Sequence, residues 1–396
     1  MTTDWQALGK KILFNCTNRI PVTLARGKGS RIWDDKDKEY IDFVGGWAVC
    51  SLGHCHPVIV EAVGKQSKIL VQSSQLYYMI PMLQIADSLV KNSCMNRVFM
   101  CNSGLEANEG AVKLARRYGK LKLNGAYEVI TALDSFHGRS LAMTAATGQP
   151  HYQEPYEPLP PGFKNVPFNN IEALKAATTE KTCAIMLEPV QGEGGVNIPS
   201  DGYLKAVRAW CDEKGILLIL DEVQTGVGRL GTLWGYQTFG IEPDIMTLAK
   251  GLGGGIPVGA FLSKEHCAVF QYGDHGTTFG GNPLACATAY AVFNYVLEHD
   301  IPGTAKKSGQ YLLSGMEKLK DKYPFISEVR GRGLLAAIYF KEDISQALLT
   351  RCLETGVLVN SVKPNAIRIM PALNIPAKDI DEGLVRLDKA LAGFLK

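Results

Sequence analysis

The stretch from Gly215 to Gly255 constrains the fold most strongly. It begins with the continuous apolar run Ile216–Leu220, which lies between Gly215 and the acidic pair Asp221–Glu222. A short apolar run without alternation is typical of a strand that is buried on both faces of a parallel sheet. Open α/β sheets bind ligands beyond the carboxyl ends of their strands. Asp221 stands at such an end and is therefore a candidate site residue.

Lys250 is the second candidate in the same stretch. It follows the apolar run Ile245–Ala249 and precedes Gly251 and the glycines at 253–255. Glycines leave room for a ligand to approach the chain closely. An acid for a pyridinium nitrogen and a lysine for an aldehyde are the pair that pyridoxal 5'-phosphate (PLP) requires. Taken alone, each residue also suits an ordinary solvated position, so the rest of the chain must decide.

The composition fits a globular protein with room for two domains. The 396 residues are 46% hydrophobic and 20% charged, which is ordinary for a globular chain. A net charge of +3 is too small to predict a nucleic-acid partner. None of the ten cysteines stands in a C-x-x-C pair, and we see neither a membrane-length apolar run nor a signal-peptide core. These features predict a cytoplasmic protein that binds neither membranes nor nucleic acids.

Two weaker patterns offer alternatives. Gly226, Gly228 and Gly231 match G-x-G-x-x-G, a fingerprint of dinucleotide-binding oxidoreductases. That fingerprint must follow a strand directly and begin a helix, whereas here it is separated from the strand and precedes a poor helical sequence. His54 and His56 are spaced to share one side of an extended chain, but two ligands make a weak metal site. We therefore expect no metal and disfavour the dinucleotide alternative.

Further candidates lie in loops that follow other predicted strands. Ser103–Gly104 precedes a helical pattern, where it can cap the helix or present N–H groups to an anion. Phe136 can cover a flat ring or pack in the core, and Arg139 can clamp a carboxylate or face solvent. Thr277 and Thr278 are hydroxyl candidates for a phosphate, or ordinary turn residues. The local pattern leaves each of these alternatives open.

Two more residues have directions that spacing predicts only in part. Arg368 alternates with Ile367 and Ile369. It therefore points away from the apolar face of its strand, either to solvent or into a cleft. Tyr77 lies between two helical patterns, where it suits either the core or the wall of a pocket.

Six motifs, considered together, resemble one family. In order along the chain they are NSGLEANE, SFHGR, EPVQGEGG, LILDEVQTGVGR, LAKGLGGG and TTFGGNP. Their order and spacing resemble the class III (subgroup II) aminotransferases of PLP fold type I, over nearly the whole chain. The resemblance implies an α/β fold in which residues 56–290 form a large PLP-binding domain around a mostly parallel seven-stranded sheet. It also implies a smaller α+β domain, built from residues 1–55 and 291–396, and a homodimer with shared active sites.

The same resemblance implies roles in cofactor binding. Lys250 corresponds to the lysine that holds PLP and shuttles the proton, and Asp221 to the acid beside the ring nitrogen. Thr278 corresponds to a phosphate ligand that the partner subunit supplies. Leu105 departs from the family, which usually has threonine in this phosphate cup. The implied cofactor-binding set is Ser103, Gly104, Leu105, Phe136, Asp221, Glu222, Val223, Gln224, Lys250 and Thr278.

Substrate roles follow from the resemblance in the same way. Arg139 is expected to bind the distal carboxylate of either substrate, and Arg368 the α-carboxylate of glutamate. Glu193 is expected to be a catalytic gate that pairs with Arg368 and swings away when glutamate binds. Thr277 and Tyr77 are expected near the substrate. Gln75, two residues before Tyr77, stands where the family often carries asparagine.

The reaction that the resemblance implies moves the terminal amino group of N2-acetylornithine to 2-oxoglutarate. Its products are N-acetylglutamate 5-semialdehyde and glutamate, as in arginine biosynthesis. Alternative donors within the family are ornithine, succinylornithine, 4-aminobutyrate and acetyl-lysine-type amines. A racemase or aminomutase of the same fold would need no 2-oxoglutarate. The alternative from another class is a dinucleotide-binding oxidoreductase.

Overall fold

The computed structural model describes residues 3–395. Residues 1, 2 and 396, at the outer ends of the predicted terminal domain, lie outside the described residues. The strands are β1 (Leu24–Lys28), β2 (Arg31–Asp34), β3 (Glu39–Asp42), β4 (Arg97–Cys101), β5 (Glu128–Ala132), β6 (Phe163–Val166), β7 (Thr182–Leu187), β8 (Leu217–Asp221), β9 (Ile245–Leu248), β10 (Gly259–Ser263), β11 (Ile326–Arg332), β12 (Leu335–Phe340), β13 (Val357–Leu358), β14 (Asn360–Lys363) and β15 (Ala366–Ile369). The helices are α1 (Trp5–Ile12), α2 (Gly45–Ala48), α3 (Pro57–Gln66), α4 (Ile80–Lys91), α5 (Gly104–Lys122), α6 (Leu141–Ala146), α7 (Pro150–Gln153), α8 (Ile171–Ala177), α9 (Tyr203–Lys214), α10 (Gly235–Phe239), α11 (Pro283–Glu298), α12 (Ile301–Lys322), α13 (Ser345–Thr355) and α14 (Ala377–Ala392). Within the described range, no helix is long and apolar enough to span a membrane.

The centre of the fold is a seven-stranded sheet in the order β4-β10-β9-β8-β7-β5-β6. Five neighbouring strands, β6, β5, β7, β8 and β9, pair in parallel. Strand β10 runs antiparallel to both of its neighbours, β9 and β4. Every residue of β7, β8 and β9 is buried, as expected for strands covered on both faces. The predicted α/β fold with a mostly parallel seven-stranded sheet is therefore confirmed.

Helix α5 begins directly after β4, at the carboxyl end of that strand. Ser103 caps it, because the Ser103 hydroxyl oxygen accepts a hydrogen bond from the Glu106 N–H at 3.2 Å. Its buried face carries small residues, among them Ala107, Ala111 and Ala115. Gly110 allows a still closer approach, since a Cβ atom at this position would lie 2.3 Å from the Phe261 ring. Close packing on the sheet fixes where the first turn of α5 lies.

Two smaller sheets flank the central one. The first has the order β1-β2-β3-β13, in which β13 runs parallel to β3 and joins the two terminal regions. In the segment 21–43, alternating apolar and polar residues around a polar turn predict a small antiparallel sheet, and β1, β2 and β3 pair in this way. The second sheet is antiparallel, in the order β11-β12-β15-β14. It places β15, which carries Arg368, next to β12.

Two local predictions were wrong. The density of prolines in the segment 150–168 predicts a long irregular connection, but the segment contains the sheet strand β6. Prolines at 161 and 167 frame this strand, and it lies at the sheet edge, where proline is tolerated. The sequence of the segment SEVRGRGLLAAIYF predicts one strand, but the segment forms the hairpin of β11 and β12. The chain reverses at Gly333, whose φ of +57° is costly for other residues.

Candidate active site

A cavity of about 420 Å³ lies at the carboxyl end of the central sheet. Its walls come from loops that follow five of the sheet strands. This position is the usual one for ligands of open α/β sheets. The lining includes residues 102–105 after β4, 136–139 after β5, Glu188 and Glu193 after β7, Asp221, Val223 and Gln224 at the end of β8, and Ala249 and Lys250 after β9.

Asp221 is held by partners from three elements. One oxygen of its carboxylate accepts the Val223 N–H at 3.0 Å. The other oxygen lies 2.7 Å from the Asn108 amide nitrogen and 2.8 Å from His137 Nδ1. The side chain is buried, so these contacts fix its direction at the floor of the cavity.

Sequence reasoning did not assign His137 and Asn108 to the site. His137 was visible in the motif SFHGR, and Asn108 stands one helical turn after Gly104 on α5. The helical spacing could have suggested Asn108, because residues four apart share one face. The contact between His137 and Asp221 joins residues 84 positions apart, which spacing along the chain does not reveal.

Lys250 enters the cavity from the end of β9. Its φ of +42° lies in the left-handed region, which is strained for a residue with a side chain. Desolvation in the cavity lowers the pKa of the Lys250 ammonium, against the attraction of the Glu193 carboxylate. A lysine with a lowered pKa is more often the neutral amine, which is the nucleophilic and basic form.

Arg368 lies wholly buried, and its direction is into the cleft. Its guanidinium donates to Glu193 Oε1 at 2.8 Å and to Gln224 Oε1 at 3.1 Å. Two further hydrogen bonds reach Asn360 Oδ1, at 2.8 and 3.2 Å. Burial would raise the pKa of Glu193, but the charges of Arg368 and Lys250 outweigh it, and the pKa is lowered. The pair is therefore ionised.

The first turn of α5 forms another wall of the cavity. The N–H groups of Gly104 and Leu105 lie in this turn, where a helix offers donors without partners in the helix itself. Gly104 allows close packing, since a Cβ atom there would lie 2.8 Å from Val223 Cγ1. Ser103 serves as the helix cap and also lines the cavity. Both interpretations of this serine are thus compatible.

Arg139 lies at the exposed side of the cavity. Its guanidinium carbon is 3.9 Å from the centre of the Tyr152 ring and 5.3 Å from that of Phe136. Such stacking orients a guanidinium plane while leaving its N–H groups available. Among residues 3–395 it forms no salt bridge with a carboxylate. It is available for an anionic ligand.

Glu222, a member of the cofactor-binding set that the resemblance implies, points away from the cavity. Its side chain does not line the cavity. Its carboxylate accepts the N–H groups of Gly235 at 2.6 Å and Tyr236 at 2.7 Å, and the Thr225 hydroxyl at 3.0 Å. Burial raises the pKa of Glu222 to about 7. Through these hydrogen bonds the Glu222 carboxylate holds the loop before α10. Its side chain points to the opposite side from that of Asp221.

Three predicted residues lie outside the cavity of their own chain. The Thr277 hydroxyl accepts the Gly280 N–H at 3.1 Å and lies 3.3 Å from the Asn102 amide nitrogen. Thr278 is exposed, and Tyr77 is 67% exposed. Gln75 ties this region together, since its amide donates to the carbonyl groups of Met100 and Gly280.

The glycines at 226–231 do not begin a helix. Turns follow β8 as far as the start of α10 at Gly235. Gly228 and Gly231 have φ values of +95° and +90°, so they serve a loop that reverses direction. A dinucleotide fingerprint needs a helix at this point, and the observed loop does not provide one.

The predicted histidine pair is divided between other contacts. His54 Nε2 lies 2.7 Å from Asp42 Oδ2, and His56 packs against the Tyr295 ring. Among residues 3–395 one other group, Asp244, His266 and Cys267, has ligand atoms close together. Arg208 already neutralises Asp244 at 2.7 Å, which disfavours a cation there. Arg208 and Asp244 both line a second cavity, of about 410 Å³.

The chain is similar to known enzymes along nearly its whole length. The family model described as aminotransferase class-III matches residues 14–391. The acetylornithine aminotransferase of Caldanaerobacter subterraneus is 49% identical, over 97% of this chain and 98% of that protein. The succinylornithine transaminase of Photorhabdus laumondii is 45% identical, over 96% of both.

Solved structures give the same result. The ornithine aminotransferase of Toxoplasma gondii has a TM-score of 0.95 and 30% identity, with coverage of 99% of this chain and 96% of that one. The N-acetylornithine aminotransferase of Stenotrophomonas maltophilia has a TM-score of 0.85 and 36% identity, with 98% of both chains covered. The fold and the sequence therefore point to the same group of enzymes.

Proposed function

Because this chain belongs to the class III aminotransferases, which use PLP, we propose that it transfers the terminal amino group of N2-acetylornithine to 2-oxoglutarate. The products are N-acetylglutamate 5-semialdehyde and glutamate, a step that serves arginine biosynthesis. The observation that carries the proposal is the ionised pair of Glu193 and the buried Arg368 beside Lys250. The acetylornithine aminotransferases among its relatives support the choice of donor. Nothing in the comparisons supports the oxidoreductase alternative.

The residues that line the cavity fit PLP. Among the described residues, nine buried side-chain polar atoms have no hydrogen-bond partner, and three of these nine are Asn108 Oδ1, His137 Nε2 and Gln224 Nε2. All three belong to residues that surround the Asp221 end of the cavity. Asp221 would hold the ring nitrogen, Lys250 the aldehyde, and the first turn of α5 the phosphate. Phe136 and Val223, which both line the cavity, would hold the faces of the ring.

Bound PLP supplies an electron-withdrawing ring that acidifies the substrate C–H bond next to nitrogen. Asp221 supports this by keeping a proton on the ring nitrogen, since its fixed carboxylate favours a positive partner. Lys250, with its lowered pKa, accepts a proton from one carbon and delivers it to the other. The burial of these groups excludes water, which strengthens each electrostatic contact.

Two arginines divide the recognition of the substrates. Arg139, at the exposed side, would bind the carboxylate far from the reacting carbon. Arg368 would bind the α-carboxylate of glutamate or 2-oxoglutarate. While the terminal amine of the donor reacts, no carboxylate reaches Arg368, and a buried unpaired charge is costly. Glu193 neutralises Arg368 during that half-reaction and must leave it during the other.

We propose that two copies of the chain complete each other's sites. Thr278 would reach the phosphate of the partner, and Thr277 and Tyr77 would lie near its substrate. The same region exposes large apolar side chains in Leu76, Tyr78 and Phe279, with exposures of 85%, 92% and 63%. A cluster of this kind is typical of a surface that is buried in an assembly.

The domain division and the location of the enzyme also remain proposals. We propose that residues 56–290 form the large domain, and that residues 1–55 and 291–396 form the small one. The pairing of β13 with β3 supports the union of the two termini. All ten cysteines have free thiols, which supports a reducing compartment such as the cytoplasm.

The donor is tested by kcat/KM with 2-oxoglutarate for N-acetylornithine, succinylornithine, ornithine and 4-aminobutyrate. We expect N-acetylornithine to lead. Succinylornithine is the second candidate, because a relative at 45% identity carries that name. A preference for ornithine or 4-aminobutyrate would contradict the proposed donor and leave the aminotransferase chemistry in place.

A further inference from the structure

Glu188 is a buried carboxylate in the cavity wall that none of the roles above uses. It follows β7 directly and is 5% exposed. Its two oxygens accept hydrogen bonds from two different loops. Oε2 accepts the N–H of Phe136, and Oε1 accepts the N–H of Gly192, each at 3.1 Å. A single side chain thus connects the loop after β5 with the loop after β7.

These two loops place different groups of the proposed site. The loop after β5 places the aromatic ring of Phe136 and the guanidinium of Arg139. The loop after β7 places Glu193, directly after Gly192. Gly192 packs closely against Gln224, because a Cβ atom there would lie 1.7 Å from Gln224 Oε1. The distance between the ring-binding residues and the gate therefore depends on Glu188.

The loop after β7 that carries Glu193, here called the gate loop, is also held beyond Glu193, at Gly195. The carbonyl oxygen of Gly195 accepts the Tyr339 hydroxyl at 2.8 Å and the Arg330 Nε–H at 3.2 Å. Glu193 thus stands between two tied residues of the loop after β7. Gly192 is bound by Glu188, and Gly195 is bound by Tyr339 and Arg330 from β12 and β11.

We propose that Glu188 is a positioning residue that fixes the gate loop against the loop of Phe136, so that Glu193 returns to Arg368 after each glutamate half-reaction. This inference rests on the proposed function of Glu193 as a gate. A carboxylate suits the task because both of its oxygens accept, whereas an amide would set a donor against one of the N–H groups. Besides burial, the titratable neighbours His137 and Asp221 have the largest effects on the pKa of Glu188.

Glu222 provides a matched control. It is also buried, and its carboxylate also accepts two backbone N–H groups, those of Gly235 and Tyr236. Unlike Glu188, it does not line the cavity. Glu188→Gln and Glu222→Gln therefore make the same chemical change in similar surroundings, and only the first one loosens the gate loop.

The experiment combines two measurements on the purified protein. Hydrogen exchange of the cofactor-free form reports directly on the two backbone hydrogen bonds that Glu188 accepts. Glu188→Gln should speed exchange in peptides covering 134–140 or 190–196, and Glu222→Gln only in those covering 233–238. Single-turnover rates of the loaded enzyme give the second readout. Glu188→Gln should slow the N-acetylornithine half-reaction on the order of tenfold more than the glutamate half-reaction.

A second variant keeps the proposal testable if Glu188→Gln folds poorly. Tyr339→Phe removes a donor to Gly195 and should shift the two half-reactions in the same direction, by a smaller factor. Equal effects of Glu188→Gln and Glu222→Gln on both half-reactions would overturn the proposal, as would unchanged exchange in both 134–140 and 190–196. For a poorly folding Glu188→Gln, equal effects of Tyr339→Phe on both half-reactions would overturn it. Failure of the wild type to use N-acetylornithine would contradict the donor alone, since the exchange test does not depend on it.

Discussion

The two sides of the cavity differ in how far one chain completes them. On the closed side, Asp221 and Arg368 are buried, and each has several hydrogen-bond partners from the same chain. On the open side, Arg139 has no carboxylate partner among residues 3–395, and the residues proposed to complete that side in the partner, Thr278 and Tyr77, lie outside their own chain's cavity and are exposed. We propose that the closed side holds the groups that perform the chemistry, and that the open side holds those that complete binding.

The difference follows from what surrounds each side. The closed side rests on strands β7, β8 and β9, whose residues are all buried, so a polar group there must find partners within the fold. The region of Tyr77 and Thr278, which we propose to complete the open side of the partner's cavity, exposes apolar residues such as Leu76 and Tyr78. Apolar surface of this kind is stabilised when another surface covers it. We infer that the open side is complete only in the dimer.

Lys250→Ala should produce the largest effect, because it removes the reactive amine of the closed side. We expect transamination to fall by at least about 10³-fold, as for loss of an essential catalytic group. The visible absorbance of the bound cofactor should shift to that of the free aldehyde. Lys264→Ala, which removes a lysine paired with Glu242, is the control and should leave both unchanged. Unaltered absorbance in Lys250→Ala would refute the assignment of the lysine.

Glu193→Gln should affect the two half-reactions unequally. The variant leaves the buried Arg368 without its counter-charge while the N-acetylornithine amine reacts. We expect that half-reaction to slow by roughly 10- to 100-fold, as for a broken buried ion pair. The glutamate half-reaction brings its own carboxylate and should change little. Single-turnover rates with each substrate decide the point, and equal losses would contradict the gate.

Thr278→Val should have a smaller effect, on the open side. The loss of one hydrogen bond to a phosphate should raise the Kd of PLP by roughly 5- to 10-fold. Thr278→Ser keeps the hydroxyl and should restore most of the affinity. Fluorescence titration of the cofactor-free protein with PLP measures both. An unchanged Kd in Thr278→Val would remove this residue from the phosphate site.

His54→Gln should leave both sides of the cavity unaltered and change stability with pH. The hydrogen bond to Asp42, aided by Cys50, raises the pKa of His54 from 6.5 to about 10. A raised pKa contributes stability that is full below the unfolded value and is lost as pH rises towards the folded value. Between those two pH values, the free energy of unfolding of the wild type should fall relative to that of the variant, by up to about 5 kcal/mol at about 1.4 kcal/mol per pKa unit, and denaturant unfolding measures it. Parallel pH profiles would contradict the pair.

The closed side could be predicted from sequence better than the open side. The apolar run before Asp221 predicts a buried strand, and alternation along a strand explains why Asp221 faces the cavity while Glu222 faces away. That alternation could have excluded Glu222 in advance. The choice between solvent and cleft for Arg368 depends on Glu193 and Asn360, which come from other elements, and only the tertiary structure shows it. The proline-rich segment hid β6, because edge strands tolerate the residues that usually break strands.

A heterodimer of two inactive chains tests the central claim most directly. One chain carries Lys250→Ala and the other Thr278→Asp, whose charge should repel the phosphate, and two different tags allow the mixed dimer to be purified. If Thr278 serves the partner's cavity, one site of the mixed dimer contains no substitution. The mixed dimer should then have about half the activity of the wild-type dimer. If the mixed dimer is no more active than the two variant homodimers, each chain completes its own cavity, and the proposed sharing of sites between subunits is contradicted.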